Sequence, residues 1–501
     1  MKRILNHILL IAAVPALLIC GSCNKYLDIN KNPNAATSAT PELVLPGAIN
    51  ATAAQLNPIG FPNTVFSGWM GQWAISGSYA ISASDFTTYK QTTQFGDGTW
   101  QTIYDNLNDY NYVEVQSKAQ NKYFYVAAAK VMKAFNFQEL VDLFNNVPYS
   151  EAFNGTKVIH PKYDDGKSIY LDLIKQLDTA IAYFKRNDAV GDVKSDILFD
   201  GDNGKWIRFA NTLKLRILMR QSKAAGQTSY VQSEIAKIIT EGSGFLGAGE
   251  DAAVNPGYFN SAGEANPFWG GNYNVAGTYV NDFWRANQYG IDFYKNENDP
   301  RLTLVYGPTP SDATKYQGNK IGQIGGLVGS ASSVFGPGVL KSYSQDAIIM
   351  TAAESFFLQA EASLYGWIPG NQQQALYQQG VTESFRLYGV PSYAAAATTY
   401  YNQDNDKNVN WSATTTQAEQ LALIIRQKWA AMNTITPIEA YDDYRRLGLP
   451  ADIPLSLSPY VDVLKIPYRF LYPLSEYKTN SDAVAAQGAI DHHTSKVFWM
   501  P

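Results

Sequence analysis

The sequence predicts an all-α fold: a superhelix of paired helices interrupted by long irregular insertions. Three observations carry that prediction. Apolar residues recur at three- and four-residue spacing in several stretches of helical length, the period of one buried helix face. Small residues share those faces, as closely packed helix pairs require. Residues 61–99, 245–345 and 389–415 lack this long apolar period and read as loops. Such segments on a repeat scaffold usually gather on one face, often the binding face. The spacing between pairs is irregular, so any tetratricopeptide character is degenerate.

In chain order, Lys2 and Arg3 precede an apolar run from Ile8 to Ile19, too short to span a bilayer but suited to a secretory signal. Gly21-Ser22-Cys23 follows and resembles a bacterial lipobox, in which cleavage leaves a lipid-bearing cysteine first. Residues 1–22 are therefore expected to be a signal peptide and Cys23 the acylated N-terminus. Cys20 stands where lipoboxes usually carry Leu. With Cys20 removed, the mature chain keeps one cysteine, no internal disulfide is open to it, and acylation accounts for the unpaired thiol. Residues 23–40, broken by Asn30, Asn32, Pro33 and Asn34, read as a polar tether. Thr40-Pro41-Glu42 then signals a helix start, opening a body of residues 41–501.

Within that body, Asn121 is expected to cap a helix bearing Phe124, Ala127, Ala128, Val131 and Phe135. Tyr170, Leu173, Ile174, Leu177, Ile181 and Phe184 mark a second helix; Trp206, Phe209, Ala210, Leu213 and Ile217 mark a third. Ile349, Ala352, Ala353, Phe356 and Ala360 follow, then Tyr377, Gly380, Val381, Ser384 and Tyr388. Hydrophobic residues make up 46% of the chain, enough for a core, while charged residues are only 17%. A net charge of −5 gives nucleic acid and anionic membrane surfaces no electrostatic purchase. No second apolar run is long enough to cross a membrane.

Several segments resemble the SusD/RagB family of nutrient-binding outer-membrane lipoproteins. They include Glu139 to Ala152 with Asp142 and Val147-Pro148-Tyr149-Ser150-Glu151-Ala152, and Lys205-Trp206 with Ala210 to Arg216. Asn298-Asp299-Pro300-Arg301-Leu302, Ala360-Glu361-Ala362 and Tyr444-Arg445-Arg446-Leu447-Gly448 follow in the expected order. Pro467-Tyr468-Arg469, Tyr472-Pro473, Glu476 and Asn480 complete the series. The ending Phe498-Trp499-Met500-Pro501 departs from the paired Trp and acid of relatives. The motifs themselves suit packing: Asp142, Glu151, Arg216 and Arg301 are expected in caps and ion pairs.

Other chemistries are poorly served. Asp200 to Lys205 fails as a phosphate loop, since Leu198 stands where the first glycine belongs and Trp206 replaces Ser/Thr. Asp404, Asp406, Asn408 and Asn410 fail as a calcium loop, with Val409 at the glycine position and Thr415 at the Glu position; a looser ion site there stays open. His160, His492 and His493 form no zinc motif. Asp164-Asp165 and Asp442-Asp443 read as loop solvation and helix ion pairs, not as a glycosidase pair.

Binding without turnover is left. An indole or phenol covers the apolar face of a sugar ring, and neutral polar groups match its edge. The loop aromatics Trp69, Trp73, Tyr79, Trp269, Tyr273 and Trp284 are the candidates, on loop context alone. The family resemblance implies capture of oligosaccharide at the cell surface and delivery to a TonB-dependent transporter of the SusC kind, without a cofactor. An oligopeptide-binding uptake protein, a surface glycosidase and a purely structural repeat protein are the competing readings.

Overall fold

The computed structural model describes residues 39–186, 193–403 and 406–501. The signal, Cys23, nearly all of the tether and Asp404 lie outside these residues. Long helices dominate the body: α1 (Pro41–Gln55), α2 (Asp97–Ala119), α3 (Tyr123–Phe144), α4 (Gly166–Lys185), α5 (Asn203–Arg220) and α6 (Thr228–Glu241). After a long non-periodic stretch come α7 (Gln288–Asn296), α8 (Ala352–Leu364), α9 (Gln373–Tyr388), α10 (Tyr393–Tyr401), α11 (Gln417–Ala431) and α12 (Pro437–Leu447).

Local chemistry sets many of their ends. The Asp165 and Asp202 carboxylates accept from the backbone N–H groups of Ser168 and Lys205, at 2.9 and 3.0 Å, and start α4 and α5. Thr416 and Glu419 close a reciprocal capping box on α11. Helix α3 begins at Tyr123, not at Asn121, which takes a left-handed φ of 57° outside the helix. The expected stripes are buried except at Phe356, whose neighbour Phe357 takes the inward place, and successive helices pack in order: α2 on α3, α3 on α4, α4 on α5, then α8 on α9. Gly380 permits the last pairing, because a Cβ there would meet the Phe357 ring at 2.9 Å. The architecture is thus a tetratricopeptide-like superhelix.

Among the described residues there are three short antiparallel ladders, one of which joins two insertions to each other. β1 (Trp73–Ile75) pairs with β5 (Trp284–Ala286), Ile75 opposite Trp284. β2 (Val147–Pro148) pairs with β3 (Tyr163–Asp164), and β4 (Ala252–Val254) with β6 (Ala347–Met350). Ile349 therefore belongs to a strand instead of opening α8. The stretches read as loops also hold helix: Asn63–Trp69 and Asp85–Thr88 within 61–99, α7 within 245–345, and α10 within 389–415.

The motif charges lie inside, except Glu151, which is part-exposed. Arg216 forks onto Glu354 at 2.7 Å, and Arg220 meets Asp142, Glu439 and Asp442 at 3.3, 2.9 and 2.7 Å. Lys428 reaches Asp443 at 2.9 Å, and Arg446 bridges Asp443 and Glu361. Trp499 donates its indole N–H to Asp142 at 2.7 Å, so the unusual C-terminal ending plugs into the same network. Arg301 pairs with Asp299 at 2.6 Å, and Glu151 with Lys162 at 3.4 Å. Five cations here (Arg216, Arg220, Lys428, Arg445, Arg446) face seven carboxyls (Glu139, Asp142, Glu354, Glu361, Glu439, Asp442, Asp443). Three of these carboxyls are raised, Glu354 among them because of its burial. Burial, then neighbouring acids, pushes Glu139 to about 8, and burial lifts Asp442 to about 7 despite its arginines.

Candidate ligand-binding site

The six candidate aromatics separate by what surrounds them. Trp69 and Trp73 are 0% and 2% exposed. Trp69 donates to the Phe86 carbonyl at 3.0 Å and packs among Tyr89, Phe95 and Tyr441. Trp73 donates to Thr434 Oγ1 at 2.7 Å and lies 3.8 Å from the Phe335 ring centroid. Both are core residues, with their polar handles already satisfied and no face left for a ligand, which corrects the loop-context expectation for these two. Trp269 and Tyr273 stack on each other at 4.2 Å, with Tyr279 set edge-on against Tyr273. They are half-buried, and much of their ring surface is spent within their own loop.

Tyr79 differs. It is 42% exposed and lines a pocket of about 760 Å³ between residues 75–87 and 319–326. Phe283 meets it edge-on at 4.9 Å, and Trp284 in turn packs against Phe283 and Phe86. Phe86 lines the pocket, so Trp284 supports its wall from behind. The remaining lining is largely neutral: Ser76, Ser78, Ser82, Asn319 and Gln323, with isoleucines and the ammonium of Lys320.

Backbone close approach builds the cleft. Gly77 donates its N–H to the Leu327 carbonyl at 2.8 Å, and a Cβ on Gly77 would sit 2.0 Å from the Gly326 oxygen. Asn319 clamps Leu327 through both its amide groups, at 3.0 and 2.7 Å. Arg285 on β5 donates to the Gly329 carbonyl at 2.9 Å and pairs with Asp282 at 2.8 Å; burial draws its pKa down. Together these fix the 319–329 loop over the turn after β1 that carries Tyr79. Phe86, Asn319 and Ile324 were not among the sequence candidates. The serine run 76–84 and the clustered Gly322, Gly325 and Gly326 are the signal that points to them.

A second cleft, about 440 Å³, is lined by Leu56, Pro267, Phe268, Val339 and Ile348 among others, and it offers no exposed ring. His493 is buried and touches His492, whose ring nitrogen meets the Tyr89 carbonyl at 3.0 Å; these are packing residues. Asp164 accepts from the backbone of Tyr149 and Ser150, and Asp165 caps α4. Among the described residues no three His, Cys, Asp or Glu side chains converge as metal ligands, and no helix is long and apolar enough to cross a membrane.

A family model described as starch-binding and associating with the outer membrane, SusD-like, matches residues 33–473. The chain belongs to the SusD-like family. An outer-membrane protein of Bacteroides vulgatus described as involved in nutrient binding superposes with a TM-score of 0.76 at 23% identity, over 92% of this chain and 100% of its own. A SusD-like protein from Bacteroides thetaiotaomicron gives 0.75 at 22%, over 92% and 98%. A chitin-binding SusD homolog from Flavobacterium johnsoniae gives 0.74 at 23%, over 91% and 98%. These likenesses establish the fold. No curated protein matches by sequence. Family membership makes this SusD/RagB chain a nutrient-binding protein associated with the outer membrane.

Proposed function

We propose that this SusD-like chain captures oligosaccharide in the Tyr79 pocket, and that it is held on the cell surface by lipid on Cys23. The observation that carries this reading is an exposed phenol beside a cleft of serines, amides and close-packed glycines. A pyranose offers an apolar C–H face for Tyr79 and hydroxyl edges for Ser78 and Gln323. The lining has no paired carboxylates set across a cleft, which glycosidic cleavage requires. The chitin-binding neighbour makes amino-sugar oligomers a sensible first probe.

Delivery follows from topology and from the pocket's rim. A lipid-tethered binder has no route across the membrane for its cargo, so it hands the ligand to a partner, a TonB-dependent transporter of the SusC kind. Leu457, Tyr460, Val463 and Leu464 are 55, 54, 45 and 58% exposed, and Ile324 is 65% exposed. The Leu457 N–H donates to the Ile321 carbonyl at 2.9 Å, which joins this apolar strip to the pocket loop. Contiguous exposed apolar surface beside a binding cleft suits a protein interface, and the strip would seat against the transporter mouth with ligand enclosed.

Titration of the chain against a panel of glycans and peptides, with Tyr79→Ala alongside, tests the capture step. Glycan binding that weakens in the variant supports the reading; peptide binding alone contradicts it. For delivery, Leu464→Asp is expected to reduce recovery of a large outer-membrane barrel after mild detergent extraction. Unmodified Cys23 in the native N-terminal peptide would remove the anchor.

A further inference from the structure

A second polar cavity lies away from the loop pocket and shares no residue with it. It holds about 690 Å³ between α2, α3, α4 and the segment following β2. Lys130 and Lys133 stand on one face of α3, and both reach a single carboxylate, Glu114 of α2, at 2.7 and 3.0 Å. Lys130 also donates to the Gln176 side-chain oxygen at 2.6 Å, and Lys133 to that of Asn111 at 3.1 Å. An ammonium has three N–H donors, so each lysine keeps one unspent. Both Glu114 oxygens are taken. Its pKa is lowered although burial pushes it up, because the two ammonium charges outweigh that burial. Two further acids stand outside the lining: Asp172, which accepts from the Tyr149 hydroxyl at 2.6 Å and the Gln176 amide at 3.0 Å, and Asp164, which accepts from the backbone of Tyr149 and Ser150. What faces the cavity unsatisfied is thus donor-rich and cationic.

Phe153 walls this cavity with its ring near Lys133, at φ 63°, a left-handed conformation that strains a bulky side chain. On its far side Phe153 lines a groove of about 1000 Å³ with Trp100, Tyr104, Gln101, Asn108 and the carboxylates of Asp105 and Glu476. One strained aromatic ring therefore divides an extended trough into a cationic half and a half bearing acids.

We infer that this trough is a second saccharide site with a directional preference for an acidic chain. A carboxylate or sulfate on one sugar would take the free donors of Lys130 and Lys133, its ring would lie by Phe153, and uncharged residues would occupy the Trp100 side, where Asp105 and Glu476 repel anions. This inference does not depend on the Tyr79 pocket.

Calorimetric titration of the full chain with a galacturonate trimer, a sulfated galactose trimer and a neutral galactose trimer tests it. At least one acidic trimer is expected to bind about tenfold or more tighter than the neutral one, as a desolvated charge-assisted contact would give. The sulfated arm tells which anion is preferred. Joint Lys130→Gln and Lys133→Gln substitution should lose that advantage, while Lys320→Gln and Tyr79→Ala keep it. Should the double variant melt early, the lysine ammonium NMR signals of the unaltered chain decide, and those of Lys130 and Lys133 are expected to shift on addition of acidic trimer. Equal binding of neutral and acidic trimers, no binding at all, or loss of the preference in Lys320→Gln would overturn the site. Loss of neutral-glycan binding in Tyr79→Ala bears on the loop pocket alone.

Discussion

The helical scaffold and the loop face handle polarity in opposite ways. Between α3, α5, α8, α11 and α12 the chain buries a dozen ionisable side chains and pairs most of them with one another. Around Tyr79 it uses almost no charge, and serine, amide and backbone groups meet a half-open cleft. A buried ion network fixes geometry and is intolerant of losing one partner. A neutral cleft keeps donors and acceptors that can turn to a ligand. Rigidity is thus concentrated in the repeats, and recognition is left to segments that rest on them.

The comparison can be broken most severely at Arg220. Arg220→Met would leave Asp142, Glu439 and Asp442 facing each other, and is expected to cost about 3–5 kcal/mol in urea unfolding. Trp73→Ala should lose a similar amount, roughly 3–5 kcal/mol, because it empties a core site. Loss of glycan binding in a Trp73→Ala protein that melts normally would return this residue to the ligand face.

Glu139 sharpens the contrast through pH. Its folded pKa is raised to about 8 from the ordinary 4.5 of a glutamate, so the folded state holds a proton that the unfolded state releases. Stability is then expected to fall as pH rises from about 4.5 to 8 and to level above that. Asp443, lowered to about 2 by Lys428 and Arg446 in spite of its burial, acts in the other direction: its contribution is lost as pH drops from about 4 towards 2. Glu139→Gln should flatten the upper slope and stabilise the protein at pH 8.5 by on the order of 1–3 kcal/mol, measured by melting across pH. An unchanged slope would place the proton elsewhere in the network.

Tyr79→Ala carries the smallest expected effect. It should weaken glycan binding by about 0.5–1.5 kcal/mol and leave unfolding within about 0.5 kcal/mol of the parent. A large loss of stability would make Tyr79 a packing residue like its tryptophan neighbours.

Sequence periodicity revealed the scaffold because a helix face is a local property: the stripe through Trp206, Leu213 and Ile217 is buried as its spacing requires. Ile349 was misplaced because its partner strand lies near residue 253, where no local period reaches. Helix α10 was hidden by an alanine-rich stretch that buries only Ala397 and Tyr400. For the site, Trp73 and Tyr79 sit six residues apart in similar company. What separates them is Asn433 and Thr434, some 360 positions along the chain, which take the Trp73 indole and leave Tyr79 without an equivalent. Burial of single aromatics is a tertiary fact, and neighbouring sequence does not encode it legibly.

The central claim is that the loop cleft beside Tyr79 holds the ligand. A crystal structure of the chain with the tightest-binding glycan from the panel tests it most directly. A sugar ring is expected against the Tyr79 phenol, between residues 75–87 and 319–326, with hydroxyls on Ser78 or Gln323. Well-defined ligand bound elsewhere, with this cleft empty at saturating concentration, would contradict it.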